Sequence, residues 1–129
     1  NCRLSALNRN QFEQLVDKAY WNIPEQFRNK IDNVVIKVED YPSAEDKEKL
    51  EIRGEGLLLG LYRGTPLHLR SVWQGLRMPD EIVLYQKDIE NVCRNDREIE
   101  EKINEVLKHE LGHYFGLSDD EIYELMGRD

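Results

Sequence analysis

At 129 residues and 15.3 kDa the chain has the length of one domain, and residues 1–129 are expected to form a single unit. A hydrophobic share of 40% beside 34% charged residues is the balance of a globular protein in water. The 26 acidic and 18 basic residues leave a net charge of −8, which excludes a general binder of nucleic acid or of anionic membranes, whose surface would be basic.

No apolar run approaches the roughly 20 residues of a membrane span. The first ten residues, NCRLSALNRN, hold no signal-peptide core, and because they open on Asn1 further residues are expected ahead of them. Two cysteines, Cys2 and Cys93, are too few for a disulfide framework. They read as thiols of a reducing compartment, so the expectation is a cytoplasmic protein that acts as a monomer.

In chain order, Asn10 followed by Glu13 reads as a capping box. Phe12, Leu15, Val16, Ala19 and Tyr20 then recur at the spacing of an amphipathic helix. Pro24 suits the first turn of a second, short helix that carries Phe27 and Ile31 inward. From Asn33 to Glu39 the pattern alternates, with Val34, Ile36 and Val38 on one face, as in a half-buried strand.

Residues 40–56 are charged and carry Pro42, Gly54 and Gly56, which reads as a solvated connection. Leu57 to Tyr62 is almost continuously apolar, which suggests a strand covered on both faces or one in a sheet centre. Ile82 to Tyr85 is a further strand, and Asp88 is placed to cap a short helix through Cys93. Asn95 with Glu98 forms a second capping box, opening a helix to about Phe115. The order α-α-β-β-β-α-α predicts an α+β domain, a small mixed sheet backed by helices.

The chemistry sits in that last helix, as His109-Glu110-Leu111-Gly112-His113. Two histidines four apart lie about 40° apart around a helix and one turn from each other, so both imidazoles can reach one metal ion from the same side. Glu110 projects beside the ion, where it can hold a water molecule and take its proton. H-E-x-x-H is the signature of zinc hydrolases. With His109 at 0°, Ile99, Ile103, Val106, Leu107 and Tyr114 fall at about 60° to 160°, the core stripe, and the histidines sit at its edge.

Gly116 is suited to end the helix in a left-handed turn. The chain can then fold back so that Asp119 reaches the same ion, at the spacing where metzincins carry a third histidine. Two histidines and a carboxylate leave a fourth position open, as a catalytic zinc requires. At the chain's own composition the five-residue core arises by chance about 1% of the time, and the extended pattern with Gly116 and Asp119 roughly 0.02%, so the extended pattern carries the weight.

Asp119 has a competing explanation. Ser118 and Glu121 make a capping box, which would place Asp119 in a helix first turn, with Asp120 as the substitute ligand one residue on. His68 reads as structural or exposed, Trp21 and Trp73 as packing residues, with cleft lining the alternative for Trp73, and Met126 as part of an apolar stripe. Arg70 and Tyr85 are candidates to assist substrate binding or to stabilise an oxyanion.

With the motif in view, the chain resembles the small bacterial zincin-like metallopeptidases. The resemblance is carried by FEQLVDKAYWNIPEQFRNKIDNVVIKVED, GLYRGTPLHLRS, MPDEIVLYQ and HELGHYFGLSDDEIYEL, and it covers nearly the whole chain. It implies a compact α+β zincin with the metal helix near the C-terminus, one zinc ion on His109, His113 and Asp119, and Glu110 as catalytic acid/base. The chain ends ten residues after Asp119, so a distant methionine turn is not expected. The expected activity is cleavage of a peptide or protein substrate. The alternative is a metal-binding or interaction module on the same scaffold with little or no activity.

Overall fold

The computed structural model describes residues 7–45, 59–64, 79–118, 120, 121 and 124. Seven elements follow in the expected order: α1 (Arg9–Asn22), α2 (Glu25–Arg28), β1 (Val34–Glu39), β2 (Gly60–Arg63), β3 (Asp80–Tyr85), α3 (Gln86–Asn91) and α4 (Asp96–Phe115). The sheet is mixed, in the order β1-β3-β2, with β1 parallel and β2 antiparallel to β3. Helices pack against it, as an α+β fold requires.

The centre of the sheet is β3, and β2 lies at an edge of the described strands. That corrects the sheet-centre reading of the apolar run at 57–62, whose first two residues lie outside the described part. An apolar run does not by itself fix a strand's position: in β2 Gly60 is buried, while Leu61, Tyr62 and Arg63 are half-buried. β3 carries a shorter run, yet Ile82, Val83, Leu84 and Tyr85 are all wholly buried. A neighbour on each side and cover on both faces remove it from water.

Helix α1 begins two residues earlier than expected. Asn8, not Asn10, is its cap: the Asn8 side chain accepts from Gln11 N at 2.7 Å, and Gln11 Oε1 accepts from Asn8 N at 3.0 Å. Pro24 is the residue before α2 and not its first helical residue. Asp88 lies inside the first turn of α3, whose cap position is Tyr85. For α4 the expected bounds hold. Asn95 accepts from Glu98 N at 2.9 Å, while Glu98 Oε1 reaches past the cap to Arg94 N at 2.8 Å.

The core joins one face of the sheet to α1 and α4. Phe12, Ile23, Ile82, Leu84, Ile89, Ile99, Ile103, Leu107 and Leu111 are almost or wholly buried within it. Each such side chain stabilises the fold by about 1.5–3 kcal/mol. Cys93 is part of this core, 3% exposed, which fits its reading as a small hydrophobe. Trp21 is not a packing residue. It stands 60% exposed, its ring covered by the Arg28 guanidinium at 4.8 Å.

Polar groups lock one end of the sheet. Arg9 donates from Nε to Gln86 Oε1 at 2.9 Å, from Nη1 to Val38 O at 2.8 Å, and from Nη2 to Asp40. Gln86, itself buried, donates onward to Leu7 O and Glu90 Oε2. One arginine thereby ties the start of α1 to the end of β1 and the start of α3. No helix among the described residues is long and apolar enough to cross a membrane.

Candidate metal centre

The last two turns of α4 carry the chemistry-bearing residues, and three contacts fix where those turns lie. Gly116 ends the helix at φ 78°, in the left-handed region that favours glycine. Gly116 N donates to His113 O and Leu117 N to Gly112 O, both at 2.9 Å, the paired bonds of a Schellman turn. Tyr114, fully buried, anchors the same turn through its hydroxyl, which accepts from Asp32 N at 3.0 Å and donates to Asp32 O at 3.1 Å. Phe115 meets Phe27 of α2 with ring centroids 5.9 Å apart.

On this fixed turn the His109 and His113 rings stand 4.5 Å apart, both half-buried. Glu110 Oε1 lies 3.3 Å from His113 Nδ1. One donor atom from each of His109, Glu110 and His113 falls within 4.8 Å of the other two, a group able to hold a metal ion. The donor set fits: two imidazoles and a carboxylate are borderline and hard ligands of the kind a divalent transition ion takes.

Exposure separates the three. The His113 side chain is 42% exposed and that of Glu110 only 9%. At 100° per residue Glu110 stands at the centre of the core stripe of α4, between Val106 and Tyr114, while the histidines stand at its rim. Packing against the sheet therefore holds the carboxylate in place and leaves the imidazoles facing outward. The same wheel that put the histidines at the edge of the stripe also marks Glu110 as buried.

Sequence reasoning missed a second feature, Gly60. A Cβ there would lie 2.5 Å from Val106 Cγ1 and 3.3 Å from Glu110 Cγ. The strand β2 can press against α4 beside Glu110 only because residue 60 has no side chain. A lone glycine inside an apolar strand run is the signal that points to such a close approach. Farther along β2, the Tyr62 ring packs edge-on against Tyr114 at 6.1 Å, and its hydroxyl donates to Asp80 Oδ2 at 2.6 Å. Gly64 follows at φ 148°, where a Cβ would collide with the Asp80 carboxylate.

Asp119 lies outside the described residues, as do His68, Arg70, Trp73 and Met126. The capping box that competes for Asp119 is formed: Glu121 Oε1 accepts from Ser118 N at 2.9 Å, and Ser118 Oγ accepts from Glu121 N at 3.2 Å. Asp120 is exposed and is not part of the histidine group. Tyr85 is wholly buried. It shares a sheet face with Val83 and Glu81, while Ile82 and Leu84 face the helices. It is therefore not an open cleft residue, which corrects its candidacy for substrate contact.

A family model for zincin-like metallopeptidases matches residues 31–128, a span that includes β1 to β3 and the whole of α4. The chain belongs to this family. Among solved structures, a conserved hypothetical protein from Thermus thermophilus superimposes with a TM-score of 0.56 at 24% identity, over 83% of this chain and 92% of that one. That likeness shows the shared fold. No curated protein matches the chain significantly. The matched span takes in the His109, Glu110 and His113 group, which this chain holds in place through Gly116, Tyr114 and Gly60.

Proposed function

We propose that this zincin-like protein is a zinc-dependent peptidase. The observation that carries the reading is the Glu110 carboxylate, buried in the core stripe of α4 yet 3.3 Å from a histidine that opens to solvent. His109 and His113 would hold the zinc, with Asp119 as third ligand. When bound, the ion supplies Lewis-acid chemistry, polarising a carbonyl and lowering the pKa of water towards about 7.

Glu110 is the general base and then the general acid. It takes a proton from the attacking water and passes it to the nitrogen of the leaving amine. Its burial suits the task, because the apolar surroundings hold the carboxylate in one orientation and keep bulk water from competing for the proton. β2 passes beside Glu110 at Gly60, on the Val106 flank of α4, and Val106 is the member of the core stripe next to the histidine rim. An extended substrate held along that side, by main-chain hydrogen bonds of the strand-addition kind, passes the two histidines.

Metal content by mass spectrometry on untagged protein tests the site. About one zinc per chain, lost in His113→Ala, is the expected result. A peptide library then tests the reaction: cleavage should fall about 100- to 10,000-fold in Glu110→Gln while zinc is retained. Equal cleavage by Glu110→Gln would sink the mechanism. Zinc bound without cleavage by the parent protein would leave a metal-binding module on a zincin scaffold. An absence of zinc from both proteins, even after it is offered, would overturn the whole reading.

A further inference from the structure

Glu110 needs a wall as well as a neighbour. The one polar contact of its carboxylate among the described residues is His113 Nδ1, at 3.3 Å. A single contact does not fix the torsions of the stem, each of which has more than one staggered well. Packing sets the stem instead. A Cβ on residue 60 would lie 3.3 Å from Glu110 Cγ and 2.5 Å from Val106 Cγ1, so the bare Cα of Gly60 closes one side of that pair. Val106 and Glu110 stand four apart on α4, one above the other.

The main chain of the same residue faces elsewhere. Tyr85 N donates to Leu59 O at 3.0 Å, in the register that pairs Gly60 with Leu84. Hydrogen-bonded pairs alternate with open ones along an antiparallel ladder. Leu59, Leu61 and Arg63 therefore turn their main-chain groups toward β3, and Gly60 and Tyr62 turn theirs to the outer edge of β2. No strand lies along that edge among the described residues. Gly60 thus offers its N–H and C=O to an added strand and its α-hydrogens to Glu110.

We infer, on the peptidase reading proposed above, that Gly60 is a positioning residue for the hydrolysis. It sets the spacing between a substrate strand on the edge of β2 and the Glu110 carboxylate on α4.

A methyl group at residue 60 would sit 2.5 Å from Val106 Cγ1, about 1 Å inside ordinary carbon–carbon contact. Valine on a helix has one strongly preferred rotamer, so the strand gives way and not the side chain. The substrate moves with β2, while Glu110, His109 and His113 stay with α4. Substrate and metal binding are then kept, and the alignment of the base with the scissile bond is lost. A misplacement of about 1 Å costs on the order of 100-fold in rate.

The test compares the full-length parent with Gly60→Ala, with Gly60→Ala plus Val106→Ala, and with Ile99→Val, a core change about three turns from Glu110. The probe is a quenched fluorogenic form of a library peptide that the parent cleaves. Gly60→Ala should lower kcat about 10- to 100-fold, with KM and zinc affinity each within about threefold of the parent. The double variant should recover kcat to within about fivefold, because the colliding methyl is gone. Ile99→Val, which destabilises without touching the contact, should leave kcat unaltered. In zinc-free parent protein, nuclear Overhauser contacts should join the Gly60 α-protons to the Glu110 γ-protons, a check that needs no variant. Three-bond couplings to Glu110 Cγ should report one rotamer in the parent and a mixture in Gly60→Ala. Missing Overhauser contacts, unchanged couplings, an equal loss of kcat in Ile99→Val, no recovery in the double variant, or a fall in zinc affinity as large as that in kcat would each overturn the role. A parent that cleaves no peptide overturns the peptidase reading and this role together, whereas cleavage by the parent with equal kcat in Gly60→Ala overturns the role of Gly60 alone.

Discussion

Helices α1 and α4 pack against each other and against the same face of the sheet, but they bury different things. The core stripe of α1 is wholly apolar: Phe12, Val16 and Ala19. The stripe of α4 is apolar for three turns, through Ile99, Ile103, Val106 and Leu107, and then places Glu110 at its centre. A carboxylate 6% exposed is a cost that the fold alone does not require, since leucine at 110 would complete the stripe. The contrast separates a helix that only holds the domain together from one that also positions a reactive group.

Five substitutions, all in metal-free protein, break or sharpen that contrast. The largest effect is expected on the purely structural side: Phe12→Ala should cost about 3–5 kcal/mol in a urea unfolding curve. Next is the contact that lets α4 lie close to the sheet at Glu110. Gly60→Ala should cost about 1–3 kcal/mol by overpacking against Val106. Combining it with Val106→Ala should cost less than the two single changes added together, because the second change removes the colliding methyl.

Glu110→Leu should move stability the other way, leaving it unchanged or raising it by about 1 kcal/mol. A loss comparable to that of Phe12→Ala would show that Glu110 is structural and erase the distinction between the helices. The smallest effect lies on the far face of the sheet. There Glu81 accepts from Lys37 and from Arg63, at 2.8 and 2.9 Å, and these bonds hold its carboxyl below the usual value of 4.5.

A depressed folded-state pKa means that this stabilisation is present above about pH 4.5 and is lost as the pH falls through the lower, folded value. The pairs are partly exposed, so the contribution should stay below about 1 kcal/mol. Thermal unfolding of Glu81→Gln should therefore trail the parent protein at pH 6 and converge with it toward pH 3. A gap that persists at pH 3 would place the effect of the substitution outside the ion pairs.

Much of the architecture was legible because its signals are local. The alternation from Val34 to Val38 became β1, and Asn95 and Gly116 bound α4 at the expected residues, each acting through hydrogen bonds to its own neighbours. The misreadings arose where local signals compete. Asn8 and Asn10 are both capable caps, and Asn8 wins with Gln11 as its reciprocal partner. Asp88 sits in a first turn, where an acid is favoured without being the cap. Trp21 is large and apolar, yet the apolar face of α1 turns away from it and leaves it exposed.

By itself, the sequence determined the order of elements, the helix that carries His109, Glu110 and His113, and the spacing that lets one ion meet both imidazoles. These follow from helical periodicity and capping, which are short-range. Only the tertiary structure decided that β3 and not β2 is central, and that Gly60 is the gap through which the sheet approaches Glu110. Each depends on which surfaces meet, and a surface leaves water only when a partner distant in the chain covers it.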